Sequence, residues 1–276
     1  MLKLIKSFYN NQPEGRKLKE LRESYKGIYL FRLGTTSFIY PDLYSENVKK
    51  LGPYIDEVEL LFFESKHPDS IPDDYEIKEL VRLKKELDIT YNVHLPTDVT
   101  IAAANPNERK IAVEALSKII EKTAPLDPVT YTLHIPFEDF PGGKNVWQAY
   151  AFKGLRTLLQ NGMDPSRISV ETLDYAPDLL ADIVSAFGLS VCLDIGHLIV
   201  NGYDPLEVFH TFKDHVSIIH LHGVYKGNDH VSLHLLSEKD FLKVRTILQD
   251  YNRSLSIEVF SYNDLERSLS FFKDNL

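Results

Sequence analysis

The chain has 276 residues, 43% of them hydrophobic, and its 31 basic against 40 acidic side chains give a net charge of −9 at neutral pH. That length suits one large core, and the acidic balance counts against a protein whose main work is gripping nucleic-acid phosphates, which needs a basic surface. A single cysteine, Cys192, excludes an intramolecular disulfide framework and suits a reducing compartment such as the cytoplasm; no apolar run reaches the length of a signal-peptide core or a membrane span.

Residues 1–30 start Met1-Leu2-Lys3-Leu4-Ile5 and then run rich in Lys, Arg, Asn and Gln. They are expected to stand outside the main fold, as a helical or partly disordered extension that caps its amino-terminal face. Residues 31–276 then form a single domain, since no Pro/Gly/Ser-rich linker, repeat or low-complexity tract divides them. Short β-branched or aliphatic runs bounded by Gly, Pro, Asp or Asn predict strands at 31–39, 56–64, 89–96, 129–135, 167–173, 189–197, 216–224 and 254–260. Amphipathic stretches at 45–51, 74–87, 107–123, 145–161, 176–187, 205–214, 238–251 and 263–273 predict the helices between them. Strand and helix alternating eight times predict an α/β fold, a (β/α)8 TIM barrel, with the active site at the carboxyl ends of its strands.

Side chains two apart on a strand share a face. One face of the last six predicted strands carries Thr90, Asn92 and His94; Thr130, Thr132 and His134; Ser169 and Glu171; Cys192 and Asp194; Ile218, His220 and His222; Ser256 and Glu258. The other face is Ile, Val and Leu almost throughout, as in parallel strands covered on both sides. A histidine such as His94 or His134, read alone, is a hydrogen-bonded interior residue, and Asp194 alone is a helix cap. Glu171 and Glu258 are different, because a buried carboxylate without a cation is costly. Six such residues at one rim point to bound metal, with Glu171 and Glu258 as the candidate catalytic carboxylates. Carboxylate and imidazole ligands without a usable thiolate select zinc, manganese or iron. His197 and His230 make the set too large for one four-coordinate site, so two or three divalent ions per chain are expected, zinc foremost.

Cys192 reads as core filler. His222 reads as a partner of a ligand or as a substrate contact, and Glu59 as a polar member of a barrel layer or a substrate contact. His67, His210, His215 and His234 are expected at surface or loop positions. Phe137, Trp147 and Tyr225, in or beside the long loops 136–145 and 224–236, offer flat apolar surface to a substrate or pack within the loops. Gly34-Thr35-Thr36-Ser37 lacks the spacing of a phosphate-cradling glycine loop.

The series His94, His134, Glu171, Asp194-Ile195-Gly196-His197, His220-Leu221-His222, His230 and Glu258 resembles the metal-site series of the xylose-isomerase-like barrels, the AP-endonuclease family among them. The resemblance implies that Glu171, Asp194, His220 and Glu258 are the four-ligand set shared by sugar isomerases, epimerases and endonucleases. It implies that His94, His134 and His230 are the extra ligands of the multinuclear zinc site of the endonuclease branch. His197 matches a ligand there and a substrate contact in epimerases. One departure leaves the third metal open: the endonuclease pattern has Asp two before the loop histidine, and this chain has Asn228 there with Asp229 beside it. Asp229 therefore joins Glu59 and His222 as a candidate substrate contact.

Four segments are similar to the cobamide-remodelling phosphodiesterases: residues 31–42 and 56–64, Val93-His94-Leu95-Pro96, and Asp229-His230-Val231-Ser232-Leu233. Members of that family open the nucleotide loop of vitamin B12-type corrinoids by hydrolysing the phosphoribosyl linkage. This resemblance implies a metal-dependent phosphodiesterase with a cobamide substrate. His94, His134 and Glu171 would hold one ion; Asp194, His220, Glu258 and the bridging Glu171 a second. His197 and His230 would hold a third ion or contact the phosphate. The alternatives are a sugar isomerase or epimerase with one divalent ion, a DNA endonuclease, and a barrel that binds a ligand without turning it over. Neither nucleic acid nor a membrane is expected as a partner.

Overall fold

The computed structural model describes residues 19–66, 70–137 and 143–276. His67, residues 1–18 and part of the loop 136–145 lie outside the described residues. Eight strands carry the fold: β1 (Arg32–Thr36), β2 (Glu57–Leu61), β3 (Thr90–His94), β4 (Tyr131–Leu133), β5 (Ile168–Glu171), β6 (Ser190–Asp194), β7 (Val216–Leu221) and, after a short hairpin of β8 (Gly223–Tyr225) and β9 (Asn228–Val231), β10 (Ser254–Ile257). They pair in parallel and close in the order β1-β10-β7-β6-β5-β4-β3-β2. The hairpin stands apart from the barrel as an antiparallel pair. Helices α1 (Tyr44–Leu51), α2 (Asp74–Glu86), α3 (Pro106–Thr123), α4 (Gly143–Leu158), α5 (Asp178–Phe187), α6 (Ile195–Val200), α7 (Pro205–Phe212), α8 (Glu238–Gln249) and α9 (Tyr262–Asn275) lie between and after them. The expected barrel is therefore the observed one. Neither α6 nor the hairpin was expected from the sequence.

Local chemistry sets the boundaries. The side chains of Asp73, Asn105, Asp204, Ser237 and Ser261 each accept an amide hydrogen bond at the start of a helix, and proline occupies the first turn of α3 and α7. Gly188, at φ 67°, ends α5 in the left-handed conformation. Outward-facing residues such as Leu33, Val58, Tyr91, Val170, Leu193, Ile219 and Leu255 are fully buried beneath the helices. Burial of this face supplies the main driving force.

The inside of the barrel is polar at its base. Glu57 accepts hydrogen bonds from Arg32 Nε at 3.3 Å, Thr90 Oγ1 at 2.6 Å and Ser254 Oγ at 3.2 Å, and from Asn92 Nδ2. Burial pushes its carboxyl up, opposed by the Thr90 hydrogen bond and the Arg32 charge. One carboxylate thus ties four strands together beneath the site.

Residues 19–30 are the described part of the expected extension. They hold no helix, and Leu21 and Tyr25 are buried in the main core. The Tyr25 amide donates to Tyr54 O and the Gly27 amide to Asp56 Oδ1, each at 2.8 Å. This stretch packs against the barrel, because its two apolar side chains are buried in the core. No helix among the described residues is long and apolar enough to cross a membrane.

Glu57→Ala would leave the Arg32 guanidinium and three neutral donors facing an apolar methyl. The expected loss is about 1 to 3 kcal/mol of unfolding free energy in urea titration, as for buried hydrogen-bonding groups left without a partner. An unchanged urea midpoint would contradict the role given to this network.

Candidate metal centre

Parallel register delivers the site to one rim. His94, Glu171 and Asp194 are the last residues of β3, β5 and β6; His134 and Glu258 stand one past β4 and β10; His220 lies near the end of β7. Asp194 pairs with His220 across β6 and β7, and His220 with Ser256 across β7 and β10. Glu171 Oε2 lies 3.2 Å from His94 Nε2, 2.9 Å from His134 Nε2 and 3.6 Å from His220 Nδ1. His220 Nδ1 lies 3.0 Å from Glu258 Oε2 and 3.9 Å from Asp194 Oδ2. His197 Nδ1 faces Glu171 Oε1 at 3.3 Å and Asp194 Oδ2 at 3.5 Å. His230 Nε2 is 3.5 Å from Glu258 Oε2. Every sequence-predicted metal residue is thus gathered. Donor atoms cluster as His94, His134 and Glu171; as Asp194, His220 and Glu258; and around Asp194, His197 and His230, within 4.8 Å in each group.

The surroundings fix which nitrogen of each ring is available. His94 donates from Nδ1 to the Leu95 carbonyl at 2.9 Å, leaving Nε2 toward Glu171. His220 donates from Nε2 to Glu59 Oε1 at 2.9 Å, leaving Nδ1 toward the carboxylates. Glu59, expected as a substrate contact or a polar layer member, is buried in the barrel interior, where it orients His220 from across the barrel. A backbone amide can only donate, so the 2.9 Å contact of the His230 amide makes His222 Nδ1 an acceptor. The His222 proton is therefore on Nε2, directed at Asp194 Oδ1 at 3.2 Å. His222 falls within 4.8 Å of one cluster, and in the metal-free chain its two nitrogens hold Asp194 and the hairpin. A Cβ on Gly196 would meet the His222 ring at 1.9 Å, which is why α6 begins Ile195-Gly196. Asp194 does two jobs: Oδ1 caps α6 by accepting from the His197 amide at 2.7 Å, while Oδ2 faces the cluster.

Electrostatics show what the arrangement lacks. Burial works against the ionised form of Glu171, yet the charge of His134 and the close approach of His134, His197 and His94 hold its carboxyl well below the usual range. Burial works likewise against Glu258, and His220 and His230 override it. Burial disfavours a charged His197, but Asp194 and Glu171 hold its pKa up to about 10. Burial disfavours a charged His230 too, but Glu258 and Asp229 hold it up to about 11. Protons on histidine thus balance the carboxylates of the metal-free chain. Nδ1 of His197 and His220, Nε2 of His230 and Oε2 of Glu258 are buried with no hydrogen-bond partner. Oxygen and imidazole donors that converge unpartnered fit divalent cations. Burial pushes the Cys192 thiol well up, so beside Glu171 and His220 it forms the neutral floor of the site.

Toward the mouth the rim becomes aromatic. Phe38, Phe63 and Phe260 follow β1, β2 and β10, with centroids 4.8 Å apart between the first two and 6.1 Å between the last two. Phe260 stacks on His230 at 5.2 Å. This wall was missed, although each phenylalanine stands two past an inward residue, Thr36, Leu61 or Glu258, and so shares its face. Of the aromatics that were expected, Trp147 is fully buried with Nε1 donating to Pro136 O, and Phe137 packs against it, so both are packing. Tyr225 is 48% exposed on the hairpin. His210, His215 and His234 are exposed, as expected.

Residues 45–275 match the family described as xylose isomerase-like TIM barrel, and the chain belongs to it. No curated protein matches the sequence. Among solved structures, a D-tagatose 3-epimerase-like protein superposes with a TM-score of 0.75 at 21% identity, over 88% of this chain and 96% of the other. Endonuclease IV from Thermus thermophilus superposes with 0.66 at 18% identity, over 88% and 98%. D-allulose 3-epimerase from Methylomonas sp. gives 0.68 at 13% identity, over 94% and 100%. At these identities the likeness is one of fold.

Cations must displace the histidine protons. Titrating the metal-free chain with zinc at neutral pH should release protons, and apparent affinity should rise with pH as His94, His197, His220 and His230 give theirs up. Calorimetry in buffers of different ionisation enthalpy measures this; affinity independent of pH with no proton release would contradict it.

Proposed function

We propose that this chain is a divalent-metal-dependent phosphodiesterase that hydrolyses the phosphoribosyl linkage in the nucleotide loop of cobamides. The observation that carries the reading is the convergence of His94 and His134 on the same oxygen of Glu171, at 3.2 and 2.9 Å. It supports a cation position beyond the set of Glu171, Asp194, His220 and Glu258, with Glu171 shared. Zinc, manganese or iron bound there would neutralise the anionic phosphodiester and activate water for attack. Glu171 and Glu258 would each hold charge at the reacting centre, and the closed barrel beneath them excludes bulk water. The substrate class rests on the four segments that resemble cobamide-remodelling enzymes. Two of them contain Phe38 and Phe63, which give the mouth flat apolar surface for a large, partly planar ligand. The acidic chain counts against DNA as the substrate.

A second reading, sugar epimerisation or isomerisation with one ion, is favoured by the TM-score of 0.75 to the D-tagatose 3-epimerase-like protein and by the completeness of the four-residue set. Substrate assays separate the two. Metal-loaded protein should convert a complete cobamide to a product lacking its lower-base nucleoside, detected as a mass loss and a change in corrinoid absorbance. Chelation should abolish the reaction, and zinc, manganese or iron should restore it. Glu171→Gln should cost more than about 100-fold, since changes even to groups that merely support a metal ligand cost 10- to 100-fold. Rapid epimerisation of a ketose with the cobamide recovered intact would establish the second reading.

A further inference from the structure

We propose that Phe38, Phe63 and Phe260 are the subsite for the lower-base ring of the substrate, which enters the ring of strand ends while the corrin stays outside. The assignment rests on the cobamide reading and gives one half of that substrate to the aromatic side of the rim.

The wall stands on the barrel itself. Strands β2, β1 and β10 are consecutive around the ring, and their pairing runs on past the strand ends. The Ser37 amide donates to Glu59 O at 2.9 Å, and the Phe62 and Glu258 amides donate to His94 O and Leu221 O at 3.0 Å. Phe38 and Phe63 come one residue later and Phe260 two, so the three rings are held at the lip and not on a distant loop. Tyr44 packs on Phe38 with centroids 6.2 Å apart, and its hydroxyl donates to Leu61 O at 2.9 Å. Phe63 is 9% exposed, whereas its neighbours Phe38 and Phe260 are half-buried and stand at 72° and 69° to it. The two open rings offer surface, and the closed one fixes them.

The wall is bounded by metal-type residues on both sides, since the Phe62 amide bonds to His94 O and Phe260 stacks on His230. A group lying on it would have the proposed cations beside it. Eight strands enclose an interior only wide enough for side chains or one small ligand. A heteroaromatic base is of that size, and a corrin is not. The edge of a corrin also carries amides, which would lose hydrogen bonds against phenylalanine, whereas a base offers an apolar face that stacks.

Binding of the two halves that hydrolysis would separate tests this on the zinc-loaded full chain. The probes are a benzimidazole riboside and a corrinoid that ends in phosphate and lacks the base. By calorimetry, Phe38→Leu and Phe260→Leu should each weaken the riboside about 10- to 100-fold and leave the corrinoid unchanged, while Phe38→Tyr should keep the riboside. A riboside that does not bind wild type, that binds both Leu variants as tightly as wild type, or that is weakened no more than the corrinoid would overturn the proposal. Cobamide turnover by wild type is read separately. Turnover with an unweakened riboside sinks the subsite alone, and a riboside weakened as expected without turnover sinks the substrate reading alone.

Discussion

A carboxylate removed from water must be matched by positive charge, and in this barrel three of them, Glu171, Asp194 and Glu258, sit within one ring of strand ends at 1, 0 and 4% exposure. Nearly every other feature of the rim answers that demand. The histidines of β3, β4 and β7, together with His197 and His230, face the carboxylates at 2.9 to 3.9 Å. Protons on His94, His197, His220 and His230 satisfy the charge in the metal-free chain, and divalent cations bound there would take their place. Glu171 is the centre of this balance because both of its oxygens face imidazole nitrogens.

Orientation is built in from outside the ring. Glu59 fixes His220, the Leu95 carbonyl fixes His94, and His222 links Asp194 to the hairpin. The strands divide the labour. Six end on metal-type residues, while β1 and β2 lead to Phe38 and Phe63, so a charged half and an aromatic half meet at Phe260 and His230. A substrate with both an anionic linkage and a flat apolar body matches that division.

The period of two made the barrel and its ligand face legible in the sequence, because inward and outward residues of parallel strands differ so sharply in polarity. The contacts that orient the site were not legible. Glu59 and His220 are 161 residues apart, and nothing local marks one as the partner of the other. The hairpin escaped because its strands are three and four residues long and carry a bulge, which breaks the alternation that identifies strands. Helix α6 was absorbed into the predicted strand 189–197, since Asp194 looks alike as a strand end and as a cap and is in fact both. Leu21 and Tyr25 were lost among the charged residues around them, where two isolated apolar side chains give no periodic signal.

The central claim is that two cation positions share Glu171. Anomalous scattering at the zinc edge from crystals of the metal-loaded chain tests it directly. The account predicts one peak between His94, His134 and Glu171 and another between Glu171, Asp194, His220 and Glu258. A single peak in the second position, with His94 and His134 still hydrogen-bonded to Glu171 in saturating zinc, would contradict it.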